Sequence, residues 1–427
     1  MKLKRLPFQD PYRTFLSLKK RGYPVKLFLD SASVNPKTGR YSVIAIGCVE
    51  ELRCKDDPLL FEKLKSFHKR LSQKYRVDNV PFGIYGLISY DANRFLERIE
   101  GKQIDDINFP DLLFFLPETT LIFDNVKKEL HAVTFSEVPE LSLEPPNFGE
   151  FSAEFKGFNM SKEYFEECVE KIKEYIAAGD TFQVNFSQRI DVYFKGDILY
   201  LYHKLRKINP SPFSFFLDFG EIKAVSCSPE RLIKRDGKHL ETRPIAGTRR
   251  RGRNLQEERR LEEELFLSEK ERAEHIMLVD LERNDLGRVC RYGSVEVDEL
   301  MVKEKYSHVI HIVSNVRGEL REGLDSVDVI KAMFPGGTIT GAPKVRTMEI
   351  IAELEPTRRS LYTGSVGYIG FNETMDLNIV IRTLLFRGDL GFLQVGAGIV
   401  WDSIPEKEFK ETLHKGRALL ESLGIKV

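Results

Sequence analysis

Hydrophobic positions along the chain fall into two rhythms. Within residues 1–135, short apolar or alternating runs predict strands: VKLFLDSA, RYSVIAIGCVE, FGIYGLISY, LLFFLPETTLIFD and ELHAVTF. DPLLFEKLKSFHKRLSQKY instead repeats its apolar residues at helical spacing. Around 136–152 the pattern lapses: SEVPELSLEPPNFGEF holds three prolines and little periodicity, as a linker does. The helix SKEYFEECVEKIKEYIAAGD follows, with Ser161 as N-cap and Gly179 near its end. TFQVNFSQRIDVYF, SPFSFFLDFG and EIKAVSCSPERLIKRDG then read as strands, and NLQEERRLEEELFLSEKERAEHIMLVDLERND as one long charged helix. Tyr362 in LYTGSVGY and Arg382 in NIVIRT fall in apolar stretches that read as strand, and a helix closes the chain. Strands and helices mix without a strict βαβ alternation, which predicts an α+β fold with largely antiparallel sheets. The expected division is an N-terminal region 1–135, a linker 136–152 and a main region 153–427.

Composition narrows the function classes. The 427 residues are 42% hydrophobic, with 65 acidic and 65 basic side chains and a formal net charge of zero. That balance argues against nucleic-acid binding as the main activity. The arginines of ETRPIAGTRRRGR (Arg243, Arg249, Arg250, Arg251, Arg253) are followed at once by EERRLEEEL, so local salt bridges are expected. No run of about 18 apolar residues predicts a membrane span, and MKLKRLPFQDPYR has no apolar core of a secretory signal. Five cysteines without a C-x-x-C suit buried thiols in a reducing cytoplasm.

Candidate chemistry begins with two glutamate pairs, Glu271 with Glu274 and Glu408 with Glu411. Spacing of i, i+3 puts both carboxylates of a pair on one helix face, where like charges repel unless solvent or a cation faces them. If the two helices meet, four carboxylates form a hard-cation site of the Mg²⁺ type; if not, each pair is a solvated helix face. PGGTITGAPK has the outline of a phosphate loop, but Ala342 stands where that loop needs lysine. Its backbone N–H groups could cradle a carboxylate, or the segment is a tight turn. QVGAGIVWD lacks the third glycine of a dinucleotide fingerprint; small residues there let a flat ligand approach the backbone. His311 lies on a strand among apolar neighbours, as a core histidine or a catalytic one. Arg382 in apolar surroundings wants a carboxylate partner. No cysteine stands in a Gly-x-Cys-x-Gly turn, so the chain has no glutaminase centre, and any ammonia must come from another chain.

Taken in order, GDTFQVNFSQR, SPERL, RPIAGTRRRG, EHIMLVDLERNDLGR, YSHVIHIVS, PGGTITGAPK, LYTGSVGY, MDLNIVIRT and GAGIVWDSIPEKEFKE resemble the chorismate-utilising enzymes. The similarity is greatest to the component I subunits of aminodeoxychorismate synthase and anthranilate synthase. It implies a four-layer α/β/β/α fold with two near-orthogonal sheets, chorismate as substrate, and a glutamine amidotransferase subunit as partner. By resemblance, Glu274 and Glu411 would be Mg²⁺ ligands, with Glu271 and Glu408 as their partners. Tyr362, Arg382 and the backbone of Gly396, Ala397 and Gly398 would clamp the enolpyruvyl carboxylate, with Lys415, Gly247, Thr248, Thr340 and Gly341 as further substrate contacts. Glu230 would be the general acid for the departing C4 hydroxyl, and Arg231 should point to the opposite face. His311 would stand near the substrate ring.

Two positions bear on the product. Gln183 stands where water-using relatives place a lysine base, and glutamine cannot deprotonate water, which favours ammonia as nucleophile. Ala246 stands where some aminodeoxychorismate synthases place a lysine nucleophile, and this is the anthranilate-synthase pattern. Asn185, Asn378 and Trp401 look more like aminodeoxychorismate synthase, which is the preferred expectation; a non-catalytic sensor is a third. FLDSA around Ser31, with Asn209, Pro210, Ser211, Pro212 and Phe213, resembles a tryptophan pocket, with Asp30 where the regulated enzymes carry glutamate.

Overall fold

The computed structural model describes residues 1–34, 37–143, 147–305 and 309–426, without the side chains of Thr248, Lys270 and Val309. Within YSHVIHIVS, Tyr306, Ser307 and His308 therefore lie outside the described residues. The architecture is α+β, with a twelve-stranded and a ten-stranded sheet flanked by helices. Neighbouring strands run antiparallel in both.

Alternation along each strand explains the long apolar runs. In the twelve-stranded sheet, Leu27, Val43, Ala45, Phe215 and Leu217 join one core cluster with Ile84, Leu87, Leu113 and Ile369 of the other sheet. Their chain neighbours Phe28, Ile44, Ile46 and Phe216 join a second cluster with Phe15 of the helix Pro11–Lys20 and Leu201 and Leu205 of the helix Ile198–Ile208. A sheet buried on both faces has no polar side, so the period of two disappears from the sequence. Strands from either side of 136–152 share both sheets: Leu29 pairs with Phe215, and Tyr85 with Tyr368.

Several local signals act as their chemistry predicts. Ser161 accepts a hydrogen bond from Tyr164 N at 3.1 Å and caps the helix Lys162–Ala177. Arg250 pairs with Glu257 and Arg251 with Glu258 of the acidic run that follows, whereas Arg243 pairs with Glu299 and Glu304 and Arg249 with Glu271, further along the chain. Among the described residues, no helix is long and apolar enough to cross a membrane.

Three expectations are corrected. The charged run forms two helices, Leu255–Leu267 and Glu269–Gly287, because Ser268 takes a non-helical φ of −66° and ψ of 110° and caps the second. Tyr362 lies in a turn ahead of the strand Ser365–Gly370. Arg382 lies in the break between Thr374–Asn378 and Thr383–Arg387, with a left-handed φ of 52°. Both segments are buried loops, and apolar composition alone does not separate a buried loop from a buried strand. The strands Lys2–Leu6 and Glu296–Lys305 are rich in charge; each pairs along one side, as exposed edges do.

Candidate active site

A cavity of about 200 Å³ opens where the strands Gln183–Gly196 and Leu390–Ile399 meet the segments around Glu230, Ala246, Thr338 and Arg382. The two strands pair so that Asn185 faces Gly398 and Ser187 faces Gly396. Gly396 and Gly398 line the cavity. Ala397, between them, points to the opposite face and packs in a cluster with Phe165, Phe186 and Phe409. A Cβ on Gly396 would stand 2.6 Å from Asn185 Oδ1 and 2.8 Å from the Tyr362 hydroxyl, so glycine keeps this wall open to a ligand. Gln394, Gly396 and Gly398 share one face by the same alternation, which would have pointed to Gln394 as a wall residue.

Glu230 follows the strand Ile222–Ser228 and is 5% exposed. Burial pushes its carboxyl up to about 7; the Thr338 hydroxyl, the Ile245 N–H and the charge of Arg382 offset only part of that. It is therefore a carboxylic acid that holds a proton near neutrality, as a general acid must. Its neighbour Arg231 points the other way, to Asp376 and Glu241. His311, on Val309–Glu319, is pushed down to about 4 by burial and by Arg382, so it is neutral. Its Nδ1 lies 3.4 Å from the Gly247 carbonyl oxygen, which favours the tautomer that donates there. Arg382 and Tyr362 both line the cavity, with Tyr362 driven further from ionisation by burial. Lys415 reaches down from the helix Pro405–Leu423 to the Gly396 carbonyl at 3.1 Å.

Gln183 Nε2 donates to Glu274 Oε1 at 2.6 Å, while Gln183 Oε1 and Asn185 Oδ1 are buried without a protein partner. Buried acceptors of this kind await a donor from a ligand or water. Ala246 and Gly247 also face the cavity; Gly247 has φ 68° at a bulge in the strand Ile245–Arg250. The side chain of Thr248 lies outside the described residues. Thr340 and Gly341 are not in the wall: the Thr340 hydroxyl turns back to the Gly336 carbonyl at 2.9 Å, and Gly341 pairs with Val184. Thr338 and Ile339 of the same loop line the cavity instead, with Pro229, Leu278 and Ile381. Nothing in the motif's spacing distinguishes Thr338 from Thr340; the short 3₁₀ turn Gly337–Ile339 does.

Both glutamate pairs are helical, on Glu269–Gly287 and Pro405–Leu423. Only Glu274 reaches the cavity wall. Glu271 accepts from Arg249 at 3.2 Å, Glu408 from the Ser403 hydroxyl at 2.7 Å, and Glu411 faces Lys415 at 3.7 Å. Among the described residues, no three His, Cys, Asp or Glu side chains gather closely enough to hold a metal. Carboxylate oxygens are donors that a hard cation takes, and of the four glutamates only Glu274 offers one in the cavity wall.

A second cavity of about 280 Å³ lies beside the strands Val25–Asp30 and Phe213–Asp218. Ser31, Pro212 and Phe213 line it; Asn209, Pro210 and Ser211 do not. Asp30 is buried there and binds Arg206 at 2.6 Å and the Tyr202 hydroxyl at 2.8 Å. Arg231 lines this cavity, so adjacent residues face the two chambers.

Residues 29–421 match the family model of chorismate binding enzymes. The chain is 42% identical to aminodeoxychorismate synthase component 1 of Bacillus subtilis (strain 168), over 99% of this chain and 97% of that protein. It is 43% identical to anthranilate synthase component 1 of Aquifex aeolicus, over 98% of this chain and 92% of that protein. The structure of anthranilate synthase component I from Streptococcus pneumoniae TIGR4 superposes with a TM-score of 0.78 at 32% identity, covering 91% of this chain and 93% of that one. The menaquinone-specific isochorismate synthase of Escherichia coli shares the fold at a TM-score of 0.77 and 19% identity, covering 99% of this chain and 94% of that one.

Proposed function

The chain belongs to the chorismate-binding enzyme family and is a chorismate-utilising enzyme; from that premise we propose that it is an aminodeoxychorismate synthase component 1. It would replace the C4 hydroxyl of chorismate with an amino group. The observation that carries the chemistry is Glu230, a buried carboxyl that keeps its proton to about pH 7 in the cavity wall. Hydroxide is a poor leaving group, so Glu230 gives its proton to the C4 oxygen, which departs as water. Ammonia supplies the nitrogen. Gln183 cannot generate hydroxide, and its free amide oxygen and that of Asn185 offer acceptors for N–H donors. The Arg382 guanidinium, the Tyr362 hydroxyl and the bare backbone at Gly396 and Gly398 receive a flat dianion. Glu271, Glu274, Glu408 and Glu411 are the residues that would hold Mg²⁺, whose charge would bind the ring carboxylate. Ammonia would come from a separate glutaminase subunit, in keeping with the relatives' designation as component 1.

The second reading is anthranilate synthase, favoured by Ala246 in the cavity wall, where no lysine nucleophile is offered. Ammonia would then attack C2 as the C4 oxygen, protonated by Glu230, departs as water, and the enolpyruvyl group would leave as pyruvate. Asn185, which resembles the aminodeoxychorismate branch and faces the cavity, supports the first reading. The pure chain incubated with chorismate, Mg²⁺ and ammonium salt separates them. Anthranilate fluorescence with no second enzyme overturns the proposal. p-Aminobenzoate formed only after an aminodeoxychorismate lyase is added supports it. Glu230→Gln should lower turnover by roughly 10²–10⁴-fold.

A further inference from the structure

Every residue lining the candidate active site lies at 183 or beyond, yet a buried acid of the N-terminal region reaches the turn that carries Tyr362. The strands Gly83–Ile88 and Ser365–Gly370 meet at one end, where Ile88 pairs with Ser365. Beyond that pair the two segments stay in contact. Asp91, in the 3₁₀ turn Tyr90–Phe95, accepts from Ser360 N at 2.9 Å, and Tyr90 N donates to the Ser360 carbonyl at 2.8 Å. A Cβ on Gly364 would stand 2.2 Å from the Ile88 carbonyl oxygen and 3.0 Å from Tyr90 N, so backbone lies directly on backbone here. The clasp is itself anchored. Ser89 N donates to the Asp111 carbonyl at 2.8 Å, and the Ser89 hydroxyl to the Pro110 carbonyl at 2.6 Å.

The acid holds an unfavourable backbone. Ser360 and Thr363 take left-handed φ values of 51° and 59° without being glycine. Tyr362 stands between them and lines the cavity. Asp91 has no counter-ion among the described residues: the arginines that bear on it, Arg94 and Arg358, pair with Asp56, Asp105 and Asp111. A buried carboxyl without a counter-ion costs stability, and nothing in the proposed reaction uses this one. We infer that Asp91 is a positioning residue for Tyr362: by holding Ser360 N it fixes the left-handed turn, and with it the phenol hydroxyl in the cavity wall. This rests on the proposed reading of Tyr362 as part of the clamp on chorismate. The turn has other supports. Thr363 N donates to the Val380 carbonyl at 2.7 Å, and the Arg359 guanidinium lies over the Tyr90 ring at 4.7 Å and the Tyr362 ring at 5.6 Å. Loss of the Asp91 carboxyl therefore loosens the turn without dismantling the fold.

The test measures initial rates of chorismate consumption by the full chain with ammonium salt and Mg²⁺ at one pH. A group that binds substrate and transition state alike acts on KM and spares kcat. Tyr362→Phe should raise the KM for chorismate about 10-fold, with kcat within about 3-fold of the parent. Asp91→Ala removes the acceptor and should raise KM about 5- to 10-fold, again with kcat within about 3-fold. Asp91→Asn keeps an oxygen at the same reach and should restore KM to within about 2-fold of the parent. In the Tyr362→Phe background, Asp91→Ala should add less than about 2-fold to KM, because the hydroxyl that it positions is gone. A residue that only stabilised the fold would add the same factor in both backgrounds. Parental KM in Asp91→Ala, an equal KM penalty with and without the Tyr362 hydroxyl, or a penalty in Asp91→Asn as large as in Asp91→Ala overturns the inference and leaves Tyr362 in the clamp. Parental KM in Tyr362→Phe removes Tyr362 from the clamp, and this inference with it. Should Asp91→Ala not fold, Asp91→Ser, polar but too short to reach Ser360 N, is held to the same outcomes.

Discussion

At the scale of single residues, burial converts ordinary side chains into chemical ones. Glu230 is a carboxyl like any other in SPERL until the protein removes its water. The folded carboxyl holds its proton to about pH 7, against 4.5 without burial. Between those values the folded state binds more protons than the unfolded chain, so stability falls as pH rises through that window. The full cost, about 3 kcal/mol, is present above pH 7. Glu230→Gln removes it. The variant should therefore melt at a higher temperature than the parent at pH 8 and match it near pH 4.5. Equal stabilisation at both pH values would show that Glu230 is not a strained acid. The motif singled out Glu230, and small size singled out Gly396 and Gly398, and all three line the cavity. The placement of Ala397, Thr340 and Gly341 off the wall was not legible, because a motif names a stretch and alternation or a 3₁₀ turn chooses the atoms that face the ligand.

Among elements, one buried ion pair ties several walls of the cavity together. Arg359 follows the helix Lys344–Leu354 and is fully buried, with Glu355 as its counter-ion at 2.7 Å. Its guanidinium also donates to the carbonyls of Asn185 at 2.6 Å and Ile339 at 3.0 Å, and it lies over the Tyr362 ring at 5.6 Å. Strand, loop and turn thus share one planar cation whose fork fixes their separation. Arg359→Met should destabilise the fold by about 3 kcal/mol in urea unfolding, since Glu355 would keep its hydrogen bonds from Ser187 but lose its counter-charge. A change under about 1 kcal/mol would mean that the walls are held elsewhere. Elements were legible where their chemistry is local: Ser161 announced its helix by capping it. The split of the long charged helix at Ser268 was missed because glutamate and leucine continue the helical pattern through it, and one cap interrupts the backbone without interrupting the periodicity.

Over the whole molecule, the cavity and the fold draw on different parts of the chain. Every residue lining the candidate active site falls between 183 and 415, whereas both sheets take strands from each side of 136–152. A fragment of residues 153–427 would leave Phe213–Asp218 without Val25–Asp30, and Ser365–Gly370 without Gly83–Ile88. It should show no cooperative thermal transition and no turnover of chorismate, and co-expression with residues 1–135 should restore both. A cooperative melt of the fragment alone would make 153–427 an independent domain. The sequence by itself determined the family, through the order of its motifs; it also determined most helices and strands, the pairing of Arg250 and Arg251 with Glu257 and Glu258, and the residue types offered to a ligand, because capping, periodicity and charge alternation act over a few residues of chain. Only the tertiary structure decided which of those residues meet. It brought Glu230, His311, Arg382, Gln183 and Lys415 to one cavity from five separate segments, and left Glu271, Glu408 and Glu411 outside its wall. Desolvation and convergence sum over neighbours distant in sequence, and no local pattern of residues encodes that sum.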